Sequence, residues 1–348
     1  MLKQSLLGLM WLFSFNASAV VILQYHHVSE TSPASTSVTP AQFEEQMQYL
    51  ADNEFTIISL TEAVDAIKQD TPIADKSIVI TFDDGYQSIA DAAAPILAKH
   101  NFSYTLFISI EPIEKGYAGM MSWDQINQLA ENGATIANHS WGHEHLNRKL
   151  EGENHQQWLT RIENNLLDTE AEIKKHTGQS VKMLAYPYGE YNADVENILK
   201  KNDFIGLGQQ SGAAGKYSIL TALPRFPVAG PYADLDSLKV KFTSLNMPVV
   251  KQNITDPLLT SGDWRPELKV ELDITDIYPH QVMCFVQGQG AKKPTWLTET
   301  EFSIQAPANL PAGRSRYNCT APSKTQKGYY WFSQAWVRPN NDGSWPKE

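Results

Sequence analysis

Two adjacent carboxylates, Asp83 and Asp84, end the apolar run Ser77-Ile78-Val79-Ile80-Thr81-Phe82 and are followed by Gly85 and Tyr86. Two imidazoles four positions apart, His139 and His143, close another such run, and His26 follows a third. Two histidines and a carboxylate are the protein half of a catalytic zinc site, with positions left open for water and substrate. A second carboxylate that does not hold the metal can take a proton from that water. One helical turn through His139-Ser140-Trp141-Gly142-His143 would point both rings the same way. Each signal alone has a plain alternative, since Asp-Asp-Gly also spells a turn and a lone His-x-x-x-His usually binds nothing. Their shared position at the ends of apolar runs joins them into one inference.

The elements that must carry these residues alternate along the chain. Extended runs are expected at about 20–25, 55–58, 77–82, 104–110, 134–137, 181–185, 204–207 and 221–228, from their β-branched and aromatic content. Between them lie helical segments. Thr39 with Gln42 and Ser122 with Gln125 have capping-box spacing, Pro40 suits a first helical position, and Gly133 and Gly178 suit helix ends. Strands alternating with helices at this rhythm indicate a parallel sheet of roughly seven strands, a closed or nearly closed barrel, with an open doubly wound sheet as the alternative. In either fold ligands gather outside the carboxyl ends of the strands, which is where Asp83, Asp84, His139 and His26 fall. A glycine-rich phosphate fingerprint is not found, which disfavours a dinucleotide enzyme.

The 348 residues carry 28 basic against 39 acidic side chains, a net charge of −11, which argues against nucleic acid or an anionic membrane surface as partner. Lys3, an apolar run at 6–15 and Ala17-Ser18-Ala19 read as an export signal over residues 1–19, so the exported chain is expected to begin at Val20. No later stretch is apolar enough for an integral membrane span. The barrel is expected over 20–247, ending with a helix near 234–245. From 248 to 348 short β-like runs separated by Pro, Gly and Asn suggest a small all-β sandwich. Cys284 and Cys319 both fall there, and an even pair in an exported chain reads as one disulfide, with two buried thiols as the alternative. Trp264, Trp296, Trp331, Trp336 and Trp345 crowd the same segment and could stack on sugars, fill the core or dock onto the barrel.

Thr81-Phe82-Asp83-Asp84-Gly85, His139-Ser140-Trp141-Gly142-His143 and Tyr186-Pro187-Tyr188-Gly189, in this order and spacing, resemble the first three motifs of the polysaccharide deacetylases, the NodB-homology or carbohydrate esterase family 4. The resemblance covers about 20–228 and leaves the C-terminal module outside it. It implies a distorted (β/α)-barrel with Asp84, His139 and His143 on the metal and Asp83 as general base. Pro187 and Tyr188 would lie in the turn whose backbone N–H helps hold the tetrahedral oxyanion, although packing alone would also explain Tyr188. Zinc is the expected ion, and cobalt or nickel would suit the same ligands.

The chain departs from the family pattern twice. Ala185 stands where the third motif usually begins with the arginine that steadies the base, and Arg225, in Leu223-Pro224-Arg225-Phe226-Pro227, is the candidate to reach the same place. The late Leu-x-His that often supplies the general acid is also missing. Tyr25-His26-His27-Val28 instead resembles the first-strand motif of the poly-N-acetylglucosamine deacetylase branch, in which the histidine after tyrosine is the acid, so His26 takes that role by position and His27 reads as a loop residue. The remaining histidines, among them His145, read as surface or satisfied side chains. The expectation is an exported metal-dependent hydrolase that removes N-acetyl groups from N-acetylglucosamine units of poly-N-acetylglucosamine, chitin oligomers or peptidoglycan. The rival is a non-catalytic glycan-binding protein on the same barrel, supported by the missing arginine and the tryptophan-rich module.

Overall fold

The computed structural model describes residues 19–260, 262 and 264–347, so the expected export signal lies, except for Ala19, outside the described residues. At its centre is the strand Ser77–Phe82, buried along its whole length. It pairs in parallel with Ala19–Tyr25 on one side and Thr105–Ile108 on the other, and Thr135–Asn138, Met183–Ala185 and Ile205–Leu207 follow in turn. Alternate side chains separate two cores, as period-two strands covered on both faces must. Val20 and Ile22 join Val79, Phe107, Leu207 and the apolar face of helix Leu60–Gln69, whereas Val21 and Leu23 pack with Ile78, Ile80 and helix Pro40–Asp52.

The sheet curls until one short segment spans both of its ends. Leu223 bridges to Leu207, Phe226–Pro227 pairs with Leu23 and Gln24, and Ala214–Gly215 lies antiparallel against the start of the first strand. The result is the distorted barrel that the alternating pattern predicts. Capping boxes form at Thr39/Gln42 and Ser122/Gln125 as their spacing predicts, with a third at Asn154/Gln157. Several runs are shorter than expected, two of them markedly. The run at 104–110 stops at Ile108 and gives way to a short helix, Ile110–Glu114; the run at 221–228 pairs through the Leu223 bridge and again at Phe226–Pro227, interrupted at Pro224, which has no N–H for a ladder.

The rest is a β-sandwich. One sheet runs Leu245–Asn246, Tyr329–Arg338, Gly313–Pro322, Met283–Val286, Gly290–Lys292, and the other runs Val249–Gln252, Glu267–Leu272, Glu301–Gln305, Thr295–Trp296. Leu245 and Asn246 pair with Tyr330 and Trp331, so this sheet begins two residues before 247. The tryptophans divide between the expected roles: Trp336 is in the sandwich core and Trp296 edges it, Trp331 packs on Phe226 of the barrel, and Trp345 lies on Arg148 of the barrel. Trp264 lies under Arg338, and none of the five is exposed.

Cys284 and Cys319 form a disulfide between directly facing residues of neighbouring strands, inside that core. It closes a 35-residue separation, so replacing both cysteines by alanine should lower stability by about 3–4 kcal/mol in the chain-entropy account. Chemical denaturation followed by tryptophan fluorescence would show this, and an unchanged midpoint would contradict it.

Candidate active site

The strand Ser77–Phe82 ends by sending its two acids apart. Asp83 still holds the sheet, its N–H donating to Tyr25 O at 2.9 Å. Asp84 and Gly85 then both take left-handed backbone conformations, φ 78° and 90°, and the chain turns sharply; a Cβ on Gly85 would press on Ile108 at 3.2 Å. The turn leaves Asp83 inside the barrel and Asp84 on the rim. The segment from His139 to His143 is not the helical turn that its spacing predicts. Asn138 Oδ1 accepts from Ser140 N–H, Glu144 accepts from Gly142 N–H, and Ser140 and His143 adopt φ 69° and 57°. These side-chain bonds offer the backbone an alternative to the helix, and the irregular loop brings both rings to the same point.

That point is Asp84. Its Oδ1 lies 3.1 Å from His139 Nε2 and 3.2 Å from His143 Nε2. Yet neither Asp84 Oδ1 nor His139 Nε2 has a well-formed hydrogen bond, although both are buried. Buried polar atoms left this way are costly unless another group satisfies them. His139 Nδ1 lies 2.7 Å from the Ala185 carbonyl oxygen, a bond that puts the proton on Nδ1 and leaves the Nε2 lone pair directed at Asp84. Two imidazole nitrogens and a carboxylate oxygen within 4.8 Å of one another fit a first-row divalent cation. Burial disfavours charge on Asp84, but when their Nε2 atoms carry protons His139 and His143 outweigh it and hold its carboxyl well below the usual range.

Asp83 is fully buried, and so is its partner. Arg225 donates from two nitrogens to the two carboxylate oxygens, at 2.7 and 2.8 Å, and Gln24 adds a third bond at 2.7 Å. Arg225 also donates to Gly208 O and Thr81 Oγ1, so its planar fork is largely satisfied. Burial pushes the Asp83 carboxyl up, but Arg225, with His139 and His26 assisting, overcomes it and keeps the group ionised. The closing segment thus brings an arginine onto Asp83, where position 185 offers only an alanine.

His26 borders a cleft of about 550 Å³ together with Asp84, His143 and Tyr188. Burial lowers its pKa against the opposing pull of Asp84 and Asp83. His27 turns away and stacks on Tyr86 at 3.6 Å between ring centroids. Tyr188 follows Pro187 in a tight turn with φ 60°, and its ring is bounded by His143 at 4.6 Å and by His145 stacked at 3.9 Å. His145 is the satisfied histidine expected: it meets the buried Glu190 at 2.9 Å, and Arg148 grips the same carboxylate. Sequence reasoning missed Gln24, Tyr86 and Glu190. For Gln24 the signal was present, a lone amide in an otherwise apolar strand.

Residues 70–206 match the family model described as polysaccharide deacetylase. Over these residues the chain is similar to a polysaccharide deacetylase domain. The Bacillus subtilis (strain 168) protein YxkH, provisionally named a polysaccharide deacetylase, is 28% identical over 220 residues, 63% of this chain and 75% of its own. A Staphylococcus epidermidis protein named poly-beta-1,6-N-acetyl-D-glucosamine N-deacetylase is 25% identical over 212 residues, 54% of this chain and 71% of its own. The structure of the Streptococcus pyogenes deacetylase PplD in complex with acetate superposes with a TM-score of 0.59 at 23% identity, covering 65% of this chain and 99% of that one, a likeness of fold. The deacetylase match ends before Arg225 and before the sandwich.

Removing either half of the buried ion pair should be severe. Arg225→Ala leaves the Asp83 carboxylate buried without its charge partner and should cost about 3–5 kcal/mol of stability. A melting temperature equal to that of the parent would show that the pair does not hold the barrel closed.

Proposed function

We propose that this chain is an exported, metal-dependent N-deacetylase that hydrolyses N-acetyl groups of N-acetylglucosamine units in a polysaccharide, with zinc as the working ion. The observation that carries the reading is the convergence of Asp84, His139 and His143 on one point at a cleft that His26 borders, with Asp83 held ionised by Arg225 directly behind it. Poly-β-1,6-N-acetylglucosamine is the favoured polymer over chitin oligomers and peptidoglycan, supported by the substrate for which the Staphylococcus epidermidis relative is named and by the Tyr25-His26 motif. Export is supported by the N-terminal pattern and by the disulfide, which suits an oxidising compartment. Among the described residues no helix is long and apolar enough to cross a membrane.

Asp84, His139 and His143 would hold the ion, whose charge polarises the acetamide carbonyl and lowers the pKa of the attacking water. Asp83 takes the proton of that water, and ionisation by Arg225 keeps it able to do so. The turn at Pro187 and Tyr188 offers its backbone N–H to the carbonyl oxygen as that oxygen gains charge. His26 gives a proton to the departing amine, which cannot leave as an anion.

One observation favours a second assignment of the protons. Both oxygens of Asp83 already accept N–H bonds and the residue is fully buried, whereas His26 faces the cleft. His26 would then take the proton from water and return it to the amine. A single pair of measurements separates the two schemes. If His26 is only the acid, His26→Ala loses on the order of 10²- to 10⁴-fold on an acetamide but far less on an activated acetate ester, whose leaving group needs no proton. Equal losses assign both transfers to His26.

The reading as a whole is tested by acetate release from N-acetylglucosamine oligomers of known linkage, with and without chelator. Asp84→Ala, His139→Ala and His143→Ala should each lose bound metal and turnover together, while Asp83→Asn keeps metal and loses turnover. Full activity in chelated, metal-free protein, or no acetate from any oligomer, would refute it.

A further inference from the structure

The strand Gly313–Pro322 has one face in the sandwich core, formed by Ser315, Tyr317, Cys319 and Ala321, all buried. On a strand the intervening residues point the other way, and here Arg314 and Arg316 on that outer face reach the barrel, Arg314 while still partly exposed. Arg314 donates to the Tyr188 carbonyl at 3.0 Å, its guanidinium sits 5.4 Å from the Tyr188 ring, and it approaches Glu190 at 4.0 Å. Arg316, two residues on, donates to the Gln209 carbonyl at 3.4 Å. The two barrel loops so gripped are themselves in contact, because a Cβ on Gly189 would lie 2.7 Å from the Gln209 side chain. Arg314, Arg316 and Trp336 border the same cleft as His26, Asp84 and His143.

We propose that the β-sandwich is a wall of the active site, in which Arg314 and Arg316 are positioning residues that hold the Tyr188 turn and the Gln209 loop in register with Asp84, His139 and His143. Tyr188 is a non-glycine residue in the left-handed region, a strained conformation that persists only where its surroundings enforce it. Three groups do so here. His145 stacks on one face of the ring, His143 meets it edge-on, and Arg314 binds the carbonyl and covers the ring from the second structural unit. Glu190, two residues along, is locked by Arg148, on which Trp345 of the C-terminal segment lies at 4.3 Å. The C-terminal unit therefore reaches the same turn twice. This inference rests on the deacetylase reading, because the turn matters only if its N–H and ring face a reacting acetamide.

A simple clasp between two units would also explain the arginines, so the test needs a clasp elsewhere as control. Ser333 Oγ donates to the Ser211 carbonyl across the same junction, away from the turn. In the full chain, Arg314→Ala should lower kcat on an N-acetylglucosamine oligomer by about ten- to a hundredfold, with KM within about threefold and metal content unchanged. Arg314→Lys, which keeps a cationic donor, should recover part of the loss; Arg316→Ala should show a smaller loss of the same kind. Ser333→Ala should leave kcat within about twofold whatever it does to stability. The inference is overturned if Arg314→Ala keeps at least half of kcat, if Ser333→Ala loses as much, or if lysine does no better than alanine. Should the parent protein release no acetate from any glycan, the deacetylase reading fails, and proton NMR of His145 still decides the positioning. Its ring resonances, shifted by the stacked Tyr188, should move in Arg314→Ala and return in Arg314→Lys; no movement overturns the proposal.

Discussion

A guanidinium and a carboxylate, both shut off from water, join the central strand to the segment that closes the barrel. Removing such charges from water costs several kcal/mol for each ion, so the arrangement is tolerable only when geometry and extra hydrogen bonds compensate. Here the fork of Arg225 meets both oxygens of Asp83, Gln24 supplies a further donor, and Gly208 O and Thr81 Oγ1 take two of the three other arginine N–H groups. Arg225 N–H also donates to Gln210 O, which fixes its backbone. Asp84 is the next residue after Asp83, so the position of the candidate metal site depends on this pair. A shift of the closing segment would carry the ligand with it.

Part of the backbone strain lies at the same rim. Asp84, Ser140, His143 and Tyr188 are four of the ten described non-glycine residues with positive φ. Each conformation points a side chain where an ordinary strand or helix would not, and surrounding contacts hold it there: Asn138 and Glu144 for the histidine loop, the barrel strands for Asp84. The other six, Glu54, Asp70, Lys76, Asn101, Lys182 and Asp203, belong to the ordinary turns that end helices or start strands, whereas the four at the rim aim side chains at the site.

This division explains what could be read from the sequence. Residue type and position at strand ends pointed to Asp83, Asp84, His139, His143 and His26, because the barrel brings strand ends together whatever the loops do. Arg225 was legible as a candidate through the gap at Ala185. The loop from 139 to 143 was misread as helical because Asn138 and Glu144 override its spacing through side-chain bonds that no periodicity reveals. The part played by Arg314 and Arg316 was hidden for another reason. The alternation of Arg314, Ser315, Arg316 and Tyr317 announces a strand with one buried face, but nothing local shows that a barrel more than a hundred residues earlier covers the other.

The pairing of Leu245–Asn246 with Tyr330 and Trp331 bears on the order in which the molecule is built. The stretch that leaves the barrel is already a strand of the next sheet, and its partner is synthesised some eighty residues later. Until Tyr329–Arg338 is in place, Leu245 and Asn246 lack that ladder and Phe226 lacks the Trp331 ring. A nascent chain can thus hold Asp84, His139 and His143 while one side of the cleft is open. Completion of the cleft is a late event, timed by the arrival of the second sheet.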